Sequence, residues 1–297
     1  LEQAEEYLKY LDIVCVGTIS DIVSLTDENR VIVKLGLKLV ERTKNLGLRA
    51  ILQASGYNKV DSVTISFGIA PRINACGRMG MAEEALNLFL SKNINEVNEL
   101  TQRLNEYNRI RQEIEKNIYL DAITQIEKDG LVNKDTIVLM GKGWHHGVIG
   151  IVASKITEKY FKPSILLCEA EDEGKGSGRS IPGFDLYEAL TQCKSSIDKF
   201  GGHAMAIGIN VKKDKFDVFK EELEKIARKK HIEEIVPILK IDAQISLDEI
   251  SKEMVHSLKE LEPFGEGNKT PIFAFKNLKI DSIRSLTEGK HIKMTLK

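Results

Sequence analysis

The residues best suited to hold a phosphate lie in GKGSGRSIPGFDLYEAL. If SGRS is extended, Ser177 and Arg179 point the same way, and Gly176 and Gly178 remove side chains that would keep a ligand from the backbone. A hydroxyl beside a guanidinium on a glycine-cleared face suits an oxyanion; a flexible surface turn is the plainer alternative, and the one-sided placement favours the anion. In FGGHAMAIGI, His203 follows Gly201 and Gly202, so backbone can again approach a ligand, although a lone His is more often a satisfied structural residue. In GKGWHHGVIG, His145 and His146 would diverge, which argues against a chelate and for a loop entering a helix N-terminus, an anion site. Trp144 either stacks on a base or is buried.

Two further places carry candidates. FGIAPRINACGRMG sets Arg72, Asn74 and Arg78 among Gly68, Gly77 and Gly80 in what reads as a glycine-rich turn. Such arginines can grip a phosphate with two parallel hydrogen bonds. They can equally pair with Glu83 or Glu84, and the two readings stand side by side. Asp21 follows the apolar run Asp12–Val16, read as a strand, and so falls near the carboxyl end of a parallel strand, where open α/β sheets bind ligands. Local sequence favours turn capping there, and one carboxylate is a poor metal site because hard divalent cations take several oxygen ligands.

The elements that must position these residues follow from periodicity. VIVKLGLKLVERTK has helical spacing, and from Ile94 to Lys128 apolar residues recur every three or four positions without Pro or Gly. That spacing predicts one helix of about 50 Å, a rigid connector whose polar face carries Arg103, Arg109 and Arg111. TIVLM and SILLC read as strands flanking the helix GVIGIVASKITEKY, and Asp185 with Glu188 reads as a cap for a helix starting at Leu186. After Leu239 the short alternating stretches IDAQISL, PIFAFKNLKI and HIKMTLK read as a β module.

Composition bounds the function. The 297 residues are 42% hydrophobic and 29% charged, enough for a sizeable core, which excludes disordered and fibrous classes. Forty-three Lys and Arg against 44 Asp and Glu give a net charge of -1, so any nucleic-acid contact must come from a local cluster. Cys15, Cys76, Cys168 and Cys193 form no CxxC pair, so reduced, mostly buried thiols are expected. No run approaches a membrane span and the opening LEQAEEYLKY is charged, so the expected home is the cytoplasm, without membrane contact. Both ends of the sequence read as cut.

In this order and spacing, GTISDIVSLTDENR, FGIAPRINACGRMG, GWHHGVIGIVASKI, GSGRS and FGGHAMAIGI, with the later LEPFGEGN, resemble the RecJ family of single-strand-specific 5′ to 3′ exonucleases in the DHH phosphoesterase superfamily. The resemblance implies an α/β fold in four parts: residues 1–93, the C-terminal part of a parallel-sheet DHH domain; 94–130, the connecting helix; 131–235, an α/β DHHA1 domain; and 236–297, a partial OB-like domain. It implies Mn²⁺ or Mg²⁺ with Asp21 as the one catalytic and metal-binding match, and single-stranded DNA with a 5′ end as substrate. Substrate binding falls by the same likeness to Arg72, Asn74, Arg78, His145, Ser177, Arg179, Gly201, Gly202 and His203. The DHH triplet and the earlier aspartate motifs are absent, so the expectation is a catalytically incomplete, monomeric piece. The competing readings are a DHH/DHHA1 enzyme for short oligonucleotides or cyclic dinucleotides and, ranked last because aromatics are only 6% of residues, a non-enzymatic single-strand binding module.

Overall fold

The structure is a computed structural model that describes residues 7–193, 195–286, 289 and 291–297. It is mixed α/β and divides into two compact units: Leu1–Thr43, Tyr57–Phe67 and Ile238–Lys297 form the first, Lys44–Gly56 and Gly68–Pro237 the second.

In the first unit the helices α1 (Leu11–Ser20) and α2 (Asp27–Val40) pack together, and α1 corrects an expectation. Asp12–Val16 is helical, not a strand, and among the described residues up to 93 there is no strand at all. The β-branched run suggested extension, but Cys15, Val16 and Ile19 are buried at helical spacing, and tertiary burial outweighs a weak local propensity. Asp12 is buried within this face and accepts hydrogen bonds from the Ile13 amide and the Thr43 hydroxyl, which satisfies its carboxylate. The C-terminal part of the unit holds α10 (Lys252–Glu260), the short parallel pair β6 (Ala243–Gln244) and β7 (Phe273–Ala274), and the antiparallel hairpin β8 (Ile280–Leu286) and β9 (His291–Leu296). It is tied to the helices by Leu25 N–H donating to Glu266 O at 2.7 Å and by the Arg30 guanidinium capping Glu260 O and Leu261 O at the end of α10.

The second unit starts with α3 (Leu46–Ala54), α4 (Ala70–Arg78) and α5 (Ala82–Leu90), all packed on α6 (Ile94–Lys128). A π-helical turn, Thr64–Ile69, runs directly into α4, so FGIAPRINACGR is helical and not the glycine-rich turn expected. Pro71 is tolerated because it falls in the first turn, where its missing N–H is not needed. The long helix has the bounds its periodicity predicts, and it is packed along its length instead of standing free. Asn105 meets α4, whereas Asp121 accepts from the Trp144 indole at 2.8 Å.

The remaining elements build a five-stranded sheet of order β1-β2-β3-β5-β4 from β1 (Ile137–Lys142), β2 (Ser164–Glu169), β3 (Glu173–Arg179), β4 (Lys199–His203) and β5 (Ala206–Lys212). Only β1 and β2 are parallel, joined by α7 (His146–Tyr160). Side chains alternate across the sheet. Ile137, Leu139 and Leu166 pack with α6 and α7 on one face; Val138, Ile165, Leu167, Ile207 and Ile209 pack with α8 (Leu186–Gln192) and α9 (Phe216–Lys229) on the other. The expected cap of α8 is present, Asp185 accepting from Glu188 N–H at 2.9 Å. The cysteines are unpaired, and Cys15, Cys76 and Cys193 are buried.

Candidate phosphate-binding site

Ser177 and Arg179 lie on the extended strand β3, as their spacing predicts, and the register fixes what surrounds them. Ser177 stands opposite Leu166 on one side and Gly208 on the other, and Gly208 stands opposite Gly201. Arg179 stands opposite Ala206, and Ala206 opposite His203. Two cross-strand rows, Ser177–Gly208–Gly201 and Arg179–Ala206–His203, therefore share the sheet face that α7 covers over the first strands. Over β5 and β4 that face is open, with Gly201, Gly208 and His203 exposed. Gly202 is in the next register position and faces the opposite side.

Arg179 is preorganised. Its Nη1 donates to Ser177 Oγ at 2.7 Å and to Gly178 O at 2.8 Å, and Ser177 Oγ in turn donates to Ile207 O at 3.3 Å. Ser177 thus holds the guanidinium in place. Among the described residues no carboxylate pairs with Arg179, and burial followed by the nearby charge of Arg78 lowers its pKa. A shielded cation next to another cation, without an acid, favours an anion.

Helix α7 brings Arg78 to the same place. Its Nη1 donates to Gly147 O at 2.9 Å, and the backbones are so close that a Cβ on Gly147 would lie 2.4 Å from Arg78 O. Gly150, one turn along, faces the other arginine: a Cβ there would lie 3.1 Å from Arg179 Nη2 and 3.3 Å from Ser177 Oγ. His145 is the N-cap of α7 and its Nδ1 accepts from Gly147 N–H at 3.1 Å, which leaves the ring proton on Nε2 as a donor. Asn74 is exposed one turn before Arg78 on α4. Burial, and then the charge of Arg111, lower the pKa of Arg78, while Glu115 opposes them.

Arg72 is engaged elsewhere. It donates to Asn105 Oδ1 at 2.6 Å, to Gly68 O and to Ala54 O at 3.3 Å, clamping α3, α4 and α6. Glu84 accepts from Arg103 at 3.3 Å and from Tyr107 at 3.2 Å. Trp144 is 8% exposed, so it is a core residue and not a stacking platform. Periodicity alone puts Arg111 on a solvated helix face; its side chain is 13% exposed and pairs with Glu115, which also binds Lys155 of α7. The i, i+4 spacing of Arg111 and Glu115, with Asn108 on the same face, was the available signal.

Asp21 caps the C-terminal end of α1, its N–H donating to Gly17 O at 3.0 Å, and its side chain is exposed. A single exposed carboxylate does not meet the ligand number that Mg²⁺ or Mn²⁺ demands. Among the described residues the one triplet with ligand atoms in mutual reach is His231, Glu233 and Glu234, exposed just after α9. The residues present do not make a metal centre by themselves.

This architecture, a mixed sheet whose glycine-cleared face meets two arginines, is that of a DHHA1 domain, and the DHHA1 model matches residues 133–229. The RecJ OB domain model matches 241–297. The single-stranded-DNA-specific exonuclease RecJ of Bacillus subtilis (strain 168) is 36% identical over 293 residues, 97% of this chain and 37% of that protein. RecJ of Thermus thermophilus is 34% identical over 292 residues, 98% of this chain and 42% of that protein. A crystal structure of Thermus thermophilus RecJ in complex with Mn²⁺ superposes with a TM-score of 0.87 at 33% identity, covering 97% of this chain and 43% of that one. Another of exonuclease RecJ bound to manganese gives 0.67 at 35%, covering 77% and 58%. The chain belongs to the RecJ family, and it spans less than half the length of the two curated relatives. Among the described residues no helix is long and apolar enough to cross a membrane.

Proposed function

We propose that the second unit is the strand-end clamp of a metal-dependent, single-strand-specific 5′ to 3′ exodeoxyribonuclease. The observation that carries this reading is Arg179: shielded, held by Ser177, unpaired with any acid among the described residues and one turn of α7 away from Arg78. The two guanidiniums grip the terminal phosphate, His145 Nε2–H and the N-terminus of α7 supply further donors, and the open strip of Gly208, Gly201 and His203 leaves room for the first nucleotide. His203 then contacts the sugar or the next phosphate. The domain divisions read from the sequence, at 93/94, 130/131 and 235/236, belong to this proposal, as do a monomeric state and a cytoplasmic setting.

Catalysis requires more than this chain's own ligands. Asp21 would offer one carboxylate to a divalent cation, which takes several oxygen ligands, and the chain by itself releases no nucleotides from single-stranded DNA with Mn²⁺ present. Clear metal-dependent degradation would refute that statement. The clamp is tested with Arg179→Ala and a four-nucleotide oligothymidylate carrying a 5′-phosphate. A charge-assisted contact is worth about 1.5 to 3 kcal/mol, so affinity should fall roughly ten- to hundred-fold. Equal binding by Arg179→Ala and the parent protein would refute the assignment.

A further inference from the structure

The first unit contains a cavity of about 640 Å³ that takes no part in the clamp. Its wall carries Lys34 and Lys38, one turn apart on α2, together with Lys259, Lys269, Phe67 and Phe264. Lys59 also lines it but is spent on Asp61 at 3.2 Å. The other four lysines have no ion-pair partner among the described residues; with Lys59 they make five cations on the wall against Asp61, Glu262 and Glu266, an excess of about +2 in a chain whose net charge is -1. Phe67 is 68% exposed, at the π-helical turn Thr64–Ile69. An aromatic ring left in solvent costs free energy unless something covers it, and π-helical turns recur at functional positions.

We propose that this cavity is a second subsite for single-stranded DNA, in which a base stacks on Phe67 and the flanking phosphates meet Lys34, Lys38, Lys259 and Lys269. A polynucleotide alternates a flat apolar surface with an anion at each step, the pattern of a ring surrounded by separated cations. An extended acidic peptide is the less suitable occupant: its backbone needs a sheet edge, and no strand residue lines the cavity. The inference deepens the function proposed above by adding an interior contact to the end clamp.

The test compares 5′-phosphorylated, 3′-fluorescent oligothymidylates of four and twenty nucleotides by anisotropy across a salt series. Lys34→Glu/Lys38→Glu should weaken the longer strand at least about ten-fold and flatten its salt dependence by about 1.4, two phosphate contacts at roughly 0.7 each, while leaving the shorter strand unchanged. An unchanged affinity for the longer strand overturns the subsite even if Arg179→Ala abolishes binding of the shorter one. If instead Arg179→Ala has no effect on the shorter strand, the clamp fails and the subsite is judged on the longer strand alone. A second measurement needs no variant: ultraviolet cross-linking of a strand containing iodouracil to the parent protein should label Phe67 or Phe264, and competing unlabelled DNA should suppress that labelling. Labelling confined to the second unit, or labelling of these rings that competing DNA leaves undiminished, overturns the proposal.

Discussion

Removing the charge of Glu115 should destabilise the second unit more than any other single polar substitution on α6. Its side chain is 7% exposed and its two oxygens are divided between Arg111, 13% exposed, and Lys155, 53% exposed. Glu115→Gln keeps the shape but removes the charge, leaving the Arg111 guanidinium in the interior with only neutral acceptors, the new amide oxygen and Asn108 Oδ1 at 2.7 Å. Breaking a buried ion pair from one side costs about 3 to 5 kcal/mol, whereas the half-exposed Lys155 contributes at most about 1 kcal/mol. We therefore expect a loss of about 3 kcal/mol in urea unfolding, a drop in Tm of roughly 6 to 12 °C, and little dependence on salt because the pair is shielded. Lys155→Met should cost less than about 1 kcal/mol. The double change Glu115→Leu with Arg111→Met should recover most of the loss, since two buried charges are replaced by apolar volume. A cost below about 1 kcal/mol for Glu115→Gln, or equal harm from Lys155→Met, would refute a buried Arg111–Glu115 pair as the stabilising contact.

Gly147→Ala places a methyl 2.4 Å from Arg78 O, so α4 and α7 must separate; a cost of about 1 to 3 kcal/mol in denaturant unfolding and weaker binding of a 5′-phosphorylated strand are expected, and an unaltered protein would show that the contact is slack. Burial, and secondarily the charge of Asp12, push the Cys15 thiol from 9.0 up to about 12, and burial pushes Cys168 to about 11. Because these folded values lie above the unfolded one, the stability they confer is complete below about pH 9 and is lost as pH rises toward 11 or 12. Cys15→Ala should accordingly flatten the decline of stability between pH 9 and 11, and native protein at pH 7 should resist iodoacetamide at Cys15; rapid alkylation there would contradict both.

Features governed by near neighbours could be read without a fold. The 35 residues of α6 repeat their apolar positions every three or four places, Asp185 caps the helix three residues ahead of Glu188, and Ser177 and Arg179 two apart on a strand must share a face. Each depends on backbone geometry within a turn or a pleat, which the local chain dictates. The run Asp12–Val16 shows where this ends: its residue types favour a strand, and only burial of Cys15, Val16 and Ile19 against a neighbouring helix makes it α1.

What the fold alone decided is which distant groups meet and which charges stay unpaired. Arg72 and Arg78 occur in one motif with similar surroundings in sequence, yet one is consumed by three acceptors of the protein and the other reaches α7 beside Arg179. Arg111 has the helical spacing of a solvent-facing residue but is enclosed with Glu115 once α7 packs on α6. The number of acceptors around a cation and its exposure to water are properties of packing between segments scores of residues apart. A sequence can therefore nominate the arginines, but only the assembled helices and sheet determine which of them remains free to bind a phosphate.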